Sequence, residues 1–424
     1  MVRFLGRGKS CAVAASALLF AAAGCGTAGD HGPSASRSRT AQSRSAQSRT
    51  AQSRTAQSRT AQHRTAQHRS ARAHLSPSAA GPVKRADFLT GVSCLPVGTC
   101  VAVGWYYYGT VGPTLTLAVR WTGRAWLPVP APGRGREDLL DSVSCATASS
   151  CLAAGGLAEA WTGTRWSIIP GAPGGPISGV SCPVPGYCQA AGAPAGNRPV
   201  AARWDGRTWQ AERVPGPVPV PQNLTLAAIS CATPRFCMAA GDDSRGAKAR
   251  PSPSYRDSTL AERWNGSRWR ILRTPNPSHA SKFTGVSCPA PTVCVAVGSS
   301  AGGGRTLAER WNGRRWAVQH TPNMGHTGYS ALTAVSCVTA ADCTAVGTYN
   351  DGAFGIAEHW DGARWTIQRL PVPPGPPGED PLVLPVSVSC TPAACMMVGT
   401  TQNHTLAERW TGGRWIIEPT PNPG

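Results

Sequence analysis

The chain has 424 residues, enough for several domains or for one large repeat fold. Its 41 Lys and Arg residues outnumber 21 Asp and Glu residues, which gives a formal net charge of +20. Eleven of the basic residues, but only one acid, Asp30, fall between Cys25 and Arg85, so half of the excess lies in that short segment. The charge therefore does not indicate a specific nucleic-acid site, because a basic segment of this kind binds phosphates without reading bases.

The N-terminal sequence indicates that the protein is exported. A basic start precedes an apolar stretch at 11–24, which is too short to span a bilayer as a stable helix. The sequence AAAGC, ending at Cys25, resembles a bacterial lipobox, although Ala22 stands where that motif usually has Leu. We interpret 1–24 as a lipoprotein-type signal peptide and Cys25 as the lipidated residue, with ordinary signal-peptide cleavage as the alternative. The expected location is the outer face of the plasma membrane, or otherwise the medium, and both are oxidising.

Residues 25–85 predict a disordered basic tether. The pentamer SRTAQ places an Arg every five residues from Arg39 to Arg69, and this period builds no apolar stripe on a helix. As a flexible chain, this segment would have a mean reach of about 45 Å. Two roles stay open: a solvated spacer, or a segment attracted to an anionic surface such as lipid headgroups or cell-wall polymers.

From residue 86 onward the chain consists of seven repeats. Each contains a pair of cysteines separated by five residues, or by four in the last repeat: Cys94 and Cys100, Cys145 and Cys151, Cys182 and Cys188, Cys231 and Cys237, Cys288 and Cys294, Cys337 and Cys343, and Cys390 and Cys395. A pair of tryptophans follows each cysteine pair: Trp121 and Trp126, Trp161 and Trp166, Trp204 and Trp209, Trp264 and Trp269, Trp311 and Trp316, Trp360 and Trp365, and Trp410 and Trp415. A period near 48 residues is typical of propellers and solenoids.

The fifth repeat shows the four β-rich segments that each unit contains. Its segment CVAVG is apolar on both faces, as expected for a strand that is covered on both sides. The NG pair at 312–313 predicts a two-residue turn between the third and fourth strands. Such a turn would place Trp311 opposite Arg314. It would also place Trp316 opposite Glu309, with the two Trp rings in contact on one face.

Seven units of four strands predict an all-β fold, a seven-bladed β-propeller over 86–424, and make a β-solenoid the weaker alternative. The pattern GVSC, CVAVG and LAERWNGRRW resembles the Asp-box and photosystem-assembly-factor types of propeller repeat. It also resembles a group of exported actinobacterial propellers that carry the same cysteine and tryptophan pairs. The repeats depart from the Asp-box type in their cysteine pairs and in lacking a full Ser-x-Asp-x-Gly box. The resemblance thus implies an architecture but not an activity.

The recurring residues are interpreted as structural. No His recurs in step with the cysteines and their spacing is not Cys-x-x-Cys, so disulfides are favoured over zinc or redox centres, and no metal or cofactor is expected. The paired tryptophans predict packing between blades, with a sugar-stacking ladder as the alternative. The Glu of the LAERW segment predicts a repeated hydrogen bond or ion pair, at Glu262, Glu309, Glu358 and Glu408.

Variation among the repeats indicates where a ligand would bind. In a propeller the 1–2 and 3–4 turns lie at one end, which here is uniform, and the 2–3 and 4–1 connections lie at the other, which varies. The aromatic and charged residues expected in the variable connections are Trp105, Tyr106, Tyr107, Tyr108, Asp242, Asp243, Tyr255, Arg256, Tyr349, Asp351 and His404. Aromatic rings among polar groups suit sugars or a protein partner.

Two function classes follow. The first is a non-catalytic, membrane-anchored module that binds a cell-wall glycan or an extracellular protein. The second is an exported glycoside hydrolase or lyase that resembles the Asp-box sialidases. A hydrolase would need two carboxylates about 5–10 Å apart, and the sequence does not place such a pair. We therefore favour the binding module and predict no catalytic residue.

Overall fold

The computed structural model describes residues 85–422, apart from 110–111, 136–137, 173–175, 194–198, 218–222, 246–255, 325–327, 375–381 and 403. These residues form seven four-stranded antiparallel sheets, each built from four consecutive strands. The predicted seven-bladed propeller is confirmed. Cys25 and Tyr255 lie outside the described residues, as does the segment predicted to be a tether, apart from Arg85.

The strands follow one another blade by blade. Blade 1 contains β1 (Arg85–Cys94), β2 (Cys100–Tyr108), β3 (Leu115–Trp121) and β4 (Trp126–Pro128), and blade 2 contains β5 (Leu140–Thr147), β6 (Ser150–Gly155), β7 (Ala158–Trp161) and β8 (Trp166–Ile168). Blade 3 contains β9 (Ile177–Val184), β10 (Tyr187–Gly192), β11 (Val200–Trp204) and β12 (Trp209–Glu212), and blade 4 contains β13 (Asn223–Thr233), β14 (Phe236–Arg245), β15 (Arg256–Trp264) and β16 (Trp269–Leu272). Blade 5 contains β17 (Lys282–Ala290), β18 (Val293–Ser300), β19 (Arg305–Trp311) and β20 (Trp316–Gln319), with a 3₁₀ turn at Ala301–Gly303. Blade 6 contains β21 (Ala331–Thr339), β22 (Asp342–Tyr349), β23 (Phe354–Trp360) and β24 (Trp365–Gln368), and blade 7 contains β25 (Leu384–Cys390), β26 (Cys395–Thr401), β27 (His404–Trp410) and β28 (Trp415–Ile417).

A repeated hydrogen bond joins each blade to the next. The serine before the first cysteine of each blade accepts a bond from the backbone N–H of the first cysteine in the following blade, at 2.9–3.0 Å; these serines are Ser93, Ser144, Ser181, Ser230, Ser287, Ser336 and Ser389. The last of these bonds runs from Cys94 N to Ser389 Oγ and closes the ring. The ring therefore closes by packing β1 against β25, and each sheet formed by the described residues contains consecutive strands of one blade.

One disulfide lies within every blade, so the pairing predicted from the cysteine spacing is confirmed in all seven repeats. Each bridge joins the end of the first strand to the start of the second, with Cα atoms 3.9–4.1 Å apart. In chain order the bridges join Cys94 to Cys100, Cys145 to Cys151, Cys182 to Cys188, Cys231 to Cys237, Cys288 to Cys294, Cys337 to Cys343, and Cys390 to Cys395. The second cysteine of each pair is buried at the start of an inner strand: Cys100, Cys151, Cys188, Cys237, Cys294, Cys343 and Cys395. Because both partners of every bridge belong to one blade, no disulfide holds two blades together.

A glycine stands four residues beyond the second cysteine of every blade. In blade 1 it is Gly104, which lies opposite a bulge in the first strand. A Cβ at Gly104 would overlap the Phe88 carbonyl oxygen, at 1.9 Å. This close approach of two backbones explains why all seven repeats have glycine there.

The turn between strands 3 and 4 has four residues instead of the predicted two. Trp311 pairs directly with Trp316 across it, so the predicted register is wrong. The Asn312 side chain accepts bonds from the N–H groups of Arg314 and Arg315, both at 3.0 Å, and Gly313 alone needs a positive φ, of 91°. In a two-residue turn the Asn312 side chain would not accept both of these bonds. The rings of the seven Trp pairs nevertheless lie in contact, with centroids 5.6–5.9 Å apart.

The hydrophobic core lies between adjacent blades. Trp311 and Trp316 of blade 5, for example, pack with Phe283 of the same blade and Met238 of blade 4. The same arrangement recurs at the other junctions, so the paired tryptophans are packing residues, as predicted. The β18 strand is buried along nearly its whole length, as the CVAVG pattern predicts.

Carboxyl groups are buried in this core. The third-strand glutamate is 0 % exposed in five blades: Glu159, Glu262, Glu309, Glu358 and Glu408. Among the described residues, neither carboxyl oxygen of Glu262, Glu309 or Glu408 has a hydrogen-bond partner, so the predicted repeated bond or ion pair is wrong for them. Burial raises the pKa of each of these three groups to about 8. They are therefore largely protonated at neutral pH, because a charge there would be neither solvated nor paired.

Candidate functional site

The two ends of the propeller differ. We call the end with the 1–2 and 3–4 turns the uniform face and the end with the 2–3 and 4–1 connections the variable face. The grouping is visible in blade 4, where Arg235 of the 1–2 turn lies beside Gly266 of the 3–4 turn. All seven 3–4 turns have four residues and one glycine with φ between 87° and 97°.

Blade height varies at the variable face. Beyond the shared glycine, the second strand ends at once in blades 2 and 3, at Gly155 and Gly192. It continues for four residues in blade 1, to Tyr108, and in blade 4, to Arg245. Blades 1 and 4 are therefore tall, and the short blades 2 and 3 lie between them.

The segment Trp105–Tyr108 lies on this extension of β2, so its prediction as a loop is wrong. The segment pairs with β1, with Trp105 opposite Phe88 and Tyr108 opposite Arg85. Because side chains alternate along a strand, Trp105 and Tyr107 point to one side of blade 1, and Tyr106 and Tyr108 point to the other.

Three aromatic rings, those of Phe88, Trp105 and Tyr107, form the first side, which we call the aromatic stack. The Phe88 and Trp105 centroids are 4.2 Å apart, and the Tyr107 centroid lies 6.0 Å from Phe88 and 5.9 Å from Trp105. Their planes differ by only 16–23°, and all three residues are half-buried. Val103, on the same side of β2, packs against blade 2. The aromatic stack therefore lies beyond the last residue of β6, beside the connection from blade 1 to blade 2, where the Thr116 hydroxyl, on the strand opposite Trp105, donates to the Ala131 carbonyl at 3.4 Å.

On the opposite side of the extension, the charged side chain of Arg85 covers the Tyr106 ring. The Arg85 guanidinium lies 3.7 Å above the Tyr106 ring and 5.8 Å from the Tyr108 ring, and it bonds Asp87 at 2.7 Å. Burial raises the pKa of Asp87, and the nearby Arg85 and His404 partly offset that rise. Tyr106 is thus covered, whereas Tyr108 is 43 % exposed.

The described blade 4 candidates, Asp242, Asp243 and Arg256, also lie on strands instead of in a loop. Asp242 and Asp243 belong to β14 and point to opposite sides of the blade. Asp242 accepts a bond from the Thr225 hydroxyl at 2.6 Å, and burial is the largest cause of its raised pKa. Asp243 is buried. Arg256 begins β15, and its side chain lies outside the described part of the chain.

Blades 6 and 7 supply the remaining candidates. Tyr349 ends β22 and packs on Phe354 at 5.5 Å, and His404 begins β27 near Asp87. Asp351 lies in the 2–3 turn with φ of 58° and accepts a bond from the Tyr329 N–H at 2.8 Å. Asp351 therefore ties two connections together, which is a structural role.

The candidates do not converge on one site. The contacts of the described candidates place one group at blades 1 and 7. A second group runs from blade 4 to blade 6, because Lys282 lies near Asp242 and 5.8 Å from the Tyr329 ring, and the Tyr329 N–H donates to Asp351. Sequence reasoning missed Phe88 and Arg85, which complete the blade 1 surfaces. Counting back from the disulfide would pair Trp105 with Leu89, and only the bulge between Leu89 and Gly91 brings Phe88 opposite instead. The described residues contain no group of three or more His, Cys, Asp or Glu arranged for a metal ion.

No family model and no curated protein matches the chain. Among solved structures, YCF48 from Cyanidioschyzon merolae is similar with a TM-score of 0.50 and 14% identity, over 78% of this chain and 97% of that chain. A mutant Aleuria aurantia lectin in complex with Fucalpha1-6GlcNAc has a TM-score of 0.47 and 9% identity, over 80% of this chain and 98% of that chain. A chain of a nidogen/laminin complex has a TM-score of 0.41 and 13% identity, over 63% and 92%. At these identities the likeness shows the propeller fold alone.

Proposed function

We propose that the propeller is a non-catalytic glycan-binding module and that the aromatic stack is its platform. The observation that carries the proposal is the position of Phe88, Trp105 and Tyr107: three nearly parallel rings that lie beyond the last residue of β6. Because stacked rings cover each other's inner faces, the outer ring face of the stack is the apolar surface that suits the C–H face of a sugar ring. Nothing in the fold requires the extension, because blades 2 and 3 pack without one.

The carboxylates of blade 4 do not favour hydrolysis. Asp242 is bonded to Thr225, and the nearby Asp257 accepts a bond from the Ser244 hydroxyl at 2.7 Å. Asp242 and Asp257 lie on the same side of the blade, but each carboxylate is held by the hydroxyl of a neighbouring strand, and Asp243 points to the other side. A glycosidase needs two carboxyl groups facing the same bond.

An array of cell-wall and extracellular glycans tests this proposal. The protein applied to it is the full chain carrying Cys25→Ser. Trp105→Ala should lower binding at least about tenfold, as expected for an aromatic anchor. Tyr107→Leu, which keeps the apolar volume but removes the ring, should weaken binding in the same direction. Tyr108→Ala is the matched control, because it lies on the same extension but on the opposite side. Binding that survives Trp105→Ala, or no binding to any glycan, would rule the platform out.

For location, seven disulfides indicate an oxidising compartment. No helix among the described residues is long and apolar enough to cross a membrane. We infer from the lipobox-like sequence that Cys25 carries a lipid and that residues 25–85 act as a tether. In a high-salt wash, which screens charge contacts with the bilayer, Cys25→Ser should be released from the membrane fraction of its native cell while the parent chain stays bound. Equal retention of both chains in that wash would contradict the anchor.

A further inference from the structure

The uniform face carries a ring of exposed arginines. Each 3–4 turn has one or two of them within two residues of the second tryptophan, and we call these the turn arginines: Arg124, Arg165, Arg207, Arg268, Arg314, Arg315, Arg364 and Arg414. All eight are exposed. The turns themselves are held by their first residue and by their glycine, so the turn geometry does not require arginine.

The guanidinium groups are largely free of carboxylate partners. Of the turn arginines, all within the described residues, only Arg364 has a carboxylate within 4.0 Å, that of Asp361 at 3.9 Å. Including Arg235 in a 1–2 turn, the turns of this face hold nine arginines against three acids, Asp205, Asp342 and Asp361. Asp205 accepts bonds from two backbone N–H groups of its own turn, at 2.9 and 2.8 Å, so its charge already serves the turn.

The ring is flat. Every 3–4 turn has the same length, the same Trp–Trp register and the same positive-φ glycine. Equal turns on equivalent strands end at equal heights, so the charges lie close to one plane. Two exposed apolar side chains stand on 1–2 turns of the same face, Val97 at 74% exposure and Val184 at 40%.

We infer that the uniform face docks on a bilayer that contains anionic phospholipid, with the turn arginines on the lipid phosphates and Val97 and Val184 at headgroup depth. A flat ring of charge matches a flat array of phosphates better than it matches a single polymer strand. Arginine suits phosphate because its planar fork donates two parallel hydrogen bonds. In this orientation the variable face, with the aromatic stack, points away from the membrane.

Vesicle co-sedimentation of the full chain carrying Cys25→Ser tests the inference. The probe is phosphatidylcholine vesicles with about one third phosphatidylglycerol, compared with pure phosphatidylcholine. One variant changes Arg124→Gln and one arginine in each of the other six 3–4 turns. The matched control removes the same number of charges from the tether repeat, at Arg39, Arg44, Arg49, Arg54, Arg59, Arg64 and Arg69, by the same change to Gln. Since a cation near an anionic bilayer contributes roughly fivefold in affinity, several lost contacts should weaken binding by more than about 100-fold.

The expected result is a loss of more than about 100-fold for the turn variant, a clearly smaller loss for the tether variant, and weak binding to pure phosphatidylcholine. An equal loss in both variants, or none in the turn variant, would overturn the inference. A third arm uses soluble inorganic polyphosphate. If the turn variant loses polyphosphate binding but keeps vesicle binding, the partner is a phosphate polymer and the membrane assignment is wrong. Melting temperatures equal within a few degrees verify that both variants are folded.

Discussion

The uniform and variable faces belong to the same seven blades, but the blades are alike at the uniform face and differ from one another at the variable face. At the uniform face, every blade repeats one disulfide, one Trp pair and one glycine turn. At the variable face, the second strand ends at once in blade 2 and runs four residues further in blade 1. The features that every blade shares therefore lie at the uniform face, and the strands differ in length at the variable face. The variable face therefore suits recognition of one particular ligand. The uniform face, with its repeated turn arginines, suits a partner whose surface is itself repetitive.

The largest expected effect comes from the disulfides of the uniform face. Reducing all seven should lower the melting temperature more than any single substitution, because each closes a short loop with a sequence separation of 6, or 5 in blade 7. In the chain-entropy model such a loop contributes roughly 2 kcal/mol. Circular dichroism with and without reductant, together with thiol titration, measures this effect. An unchanged melting temperature at complete reduction would show that the bridges do not stabilise the ring.

The buried glutamates should make the propeller less stable as pH rises. Burial raises the pKa of Glu262, Glu309, Glu358 and Glu408 from 4.5 to about 8, so the folded state holds protons that the unfolded state releases. Stability is then greatest below about 4.5, falls between about 4.5 and 8, and levels off above 8. Melting curves from pH 4 to 9 measure the slope. Stability that is flat or rising across that window would contradict the burial of uncharged carboxyls.

One substitution tests whether the buried glutamates cause this dependence of stability on pH. Glu309→Gln should reduce it by roughly a sixth, because burial raises the pKa of six carboxyl groups to about 7 or 8, those of the five third-strand glutamates and of Asp141. Asp205→Asn is the control: backbone N–H bonds lower the pKa of this exposed turn residue, so its small contribution is lost in acid instead. Equal slopes in Glu309→Gln and the parent protein would place the proton uptake elsewhere.

A smaller effect tests how adjacent blades are joined. Ser287→Ala removes the acceptor of the Cys337 N–H, and an unpaired backbone group of this kind costs about 1–3 kcal/mol. Ser267→Ala, in an exposed 3–4 turn, should change stability by less than about 0.5 kcal/mol. Denaturant unfolding compares the two. A loss no larger for Ser287→Ala than for Ser267→Ala would show that the serine ring does not hold adjacent blades together.

The smallest effect is expected at the variable face. Tyr108→Ala should alter the unfolding free energy by no more than about 1 kcal/mol, because the side chain is 43 % exposed and the change removes one edge-on ring contact, with Tyr106. A loss above about 2 kcal/mol would show that the extension of β2 belongs to the core instead of being added to it. Denaturant unfolding under the conditions used for the serine variants makes the values comparable.

These regions also differ in how far the sequence predicts them. Repetition reveals the blade count, the disulfides and the Trp contacts, because each signal is read seven times. It does not reveal the Trp311–Trp316 register, since the NG pair suits both a two-residue and a four-residue turn, and the Asn312 cap decides between them. The aromatic stack depends on a one-residue bulge before Gly91 and on the height of the next blade, neither of which a single repeat encodes. Among the described residues, the adjacent blade supplies no hydrogen-bond partner for Glu309, and this depends on how the blades pack in the ring.

The most direct test of two faces with separate roles measures both ligands on both sets of variants. Trp105→Ala, the seven turn substitutions and the parent chain, all with Cys25→Ser, are assayed on the best-bound array glycan and on phosphatidylglycerol-containing vesicles. We predict that Trp105→Ala loses the glycan and keeps the vesicles, whereas the turn variant loses the vesicles and keeps the glycan. Both ligands lost together in either variant, with melting temperatures unchanged, would contradict the division of the propeller into two functional faces.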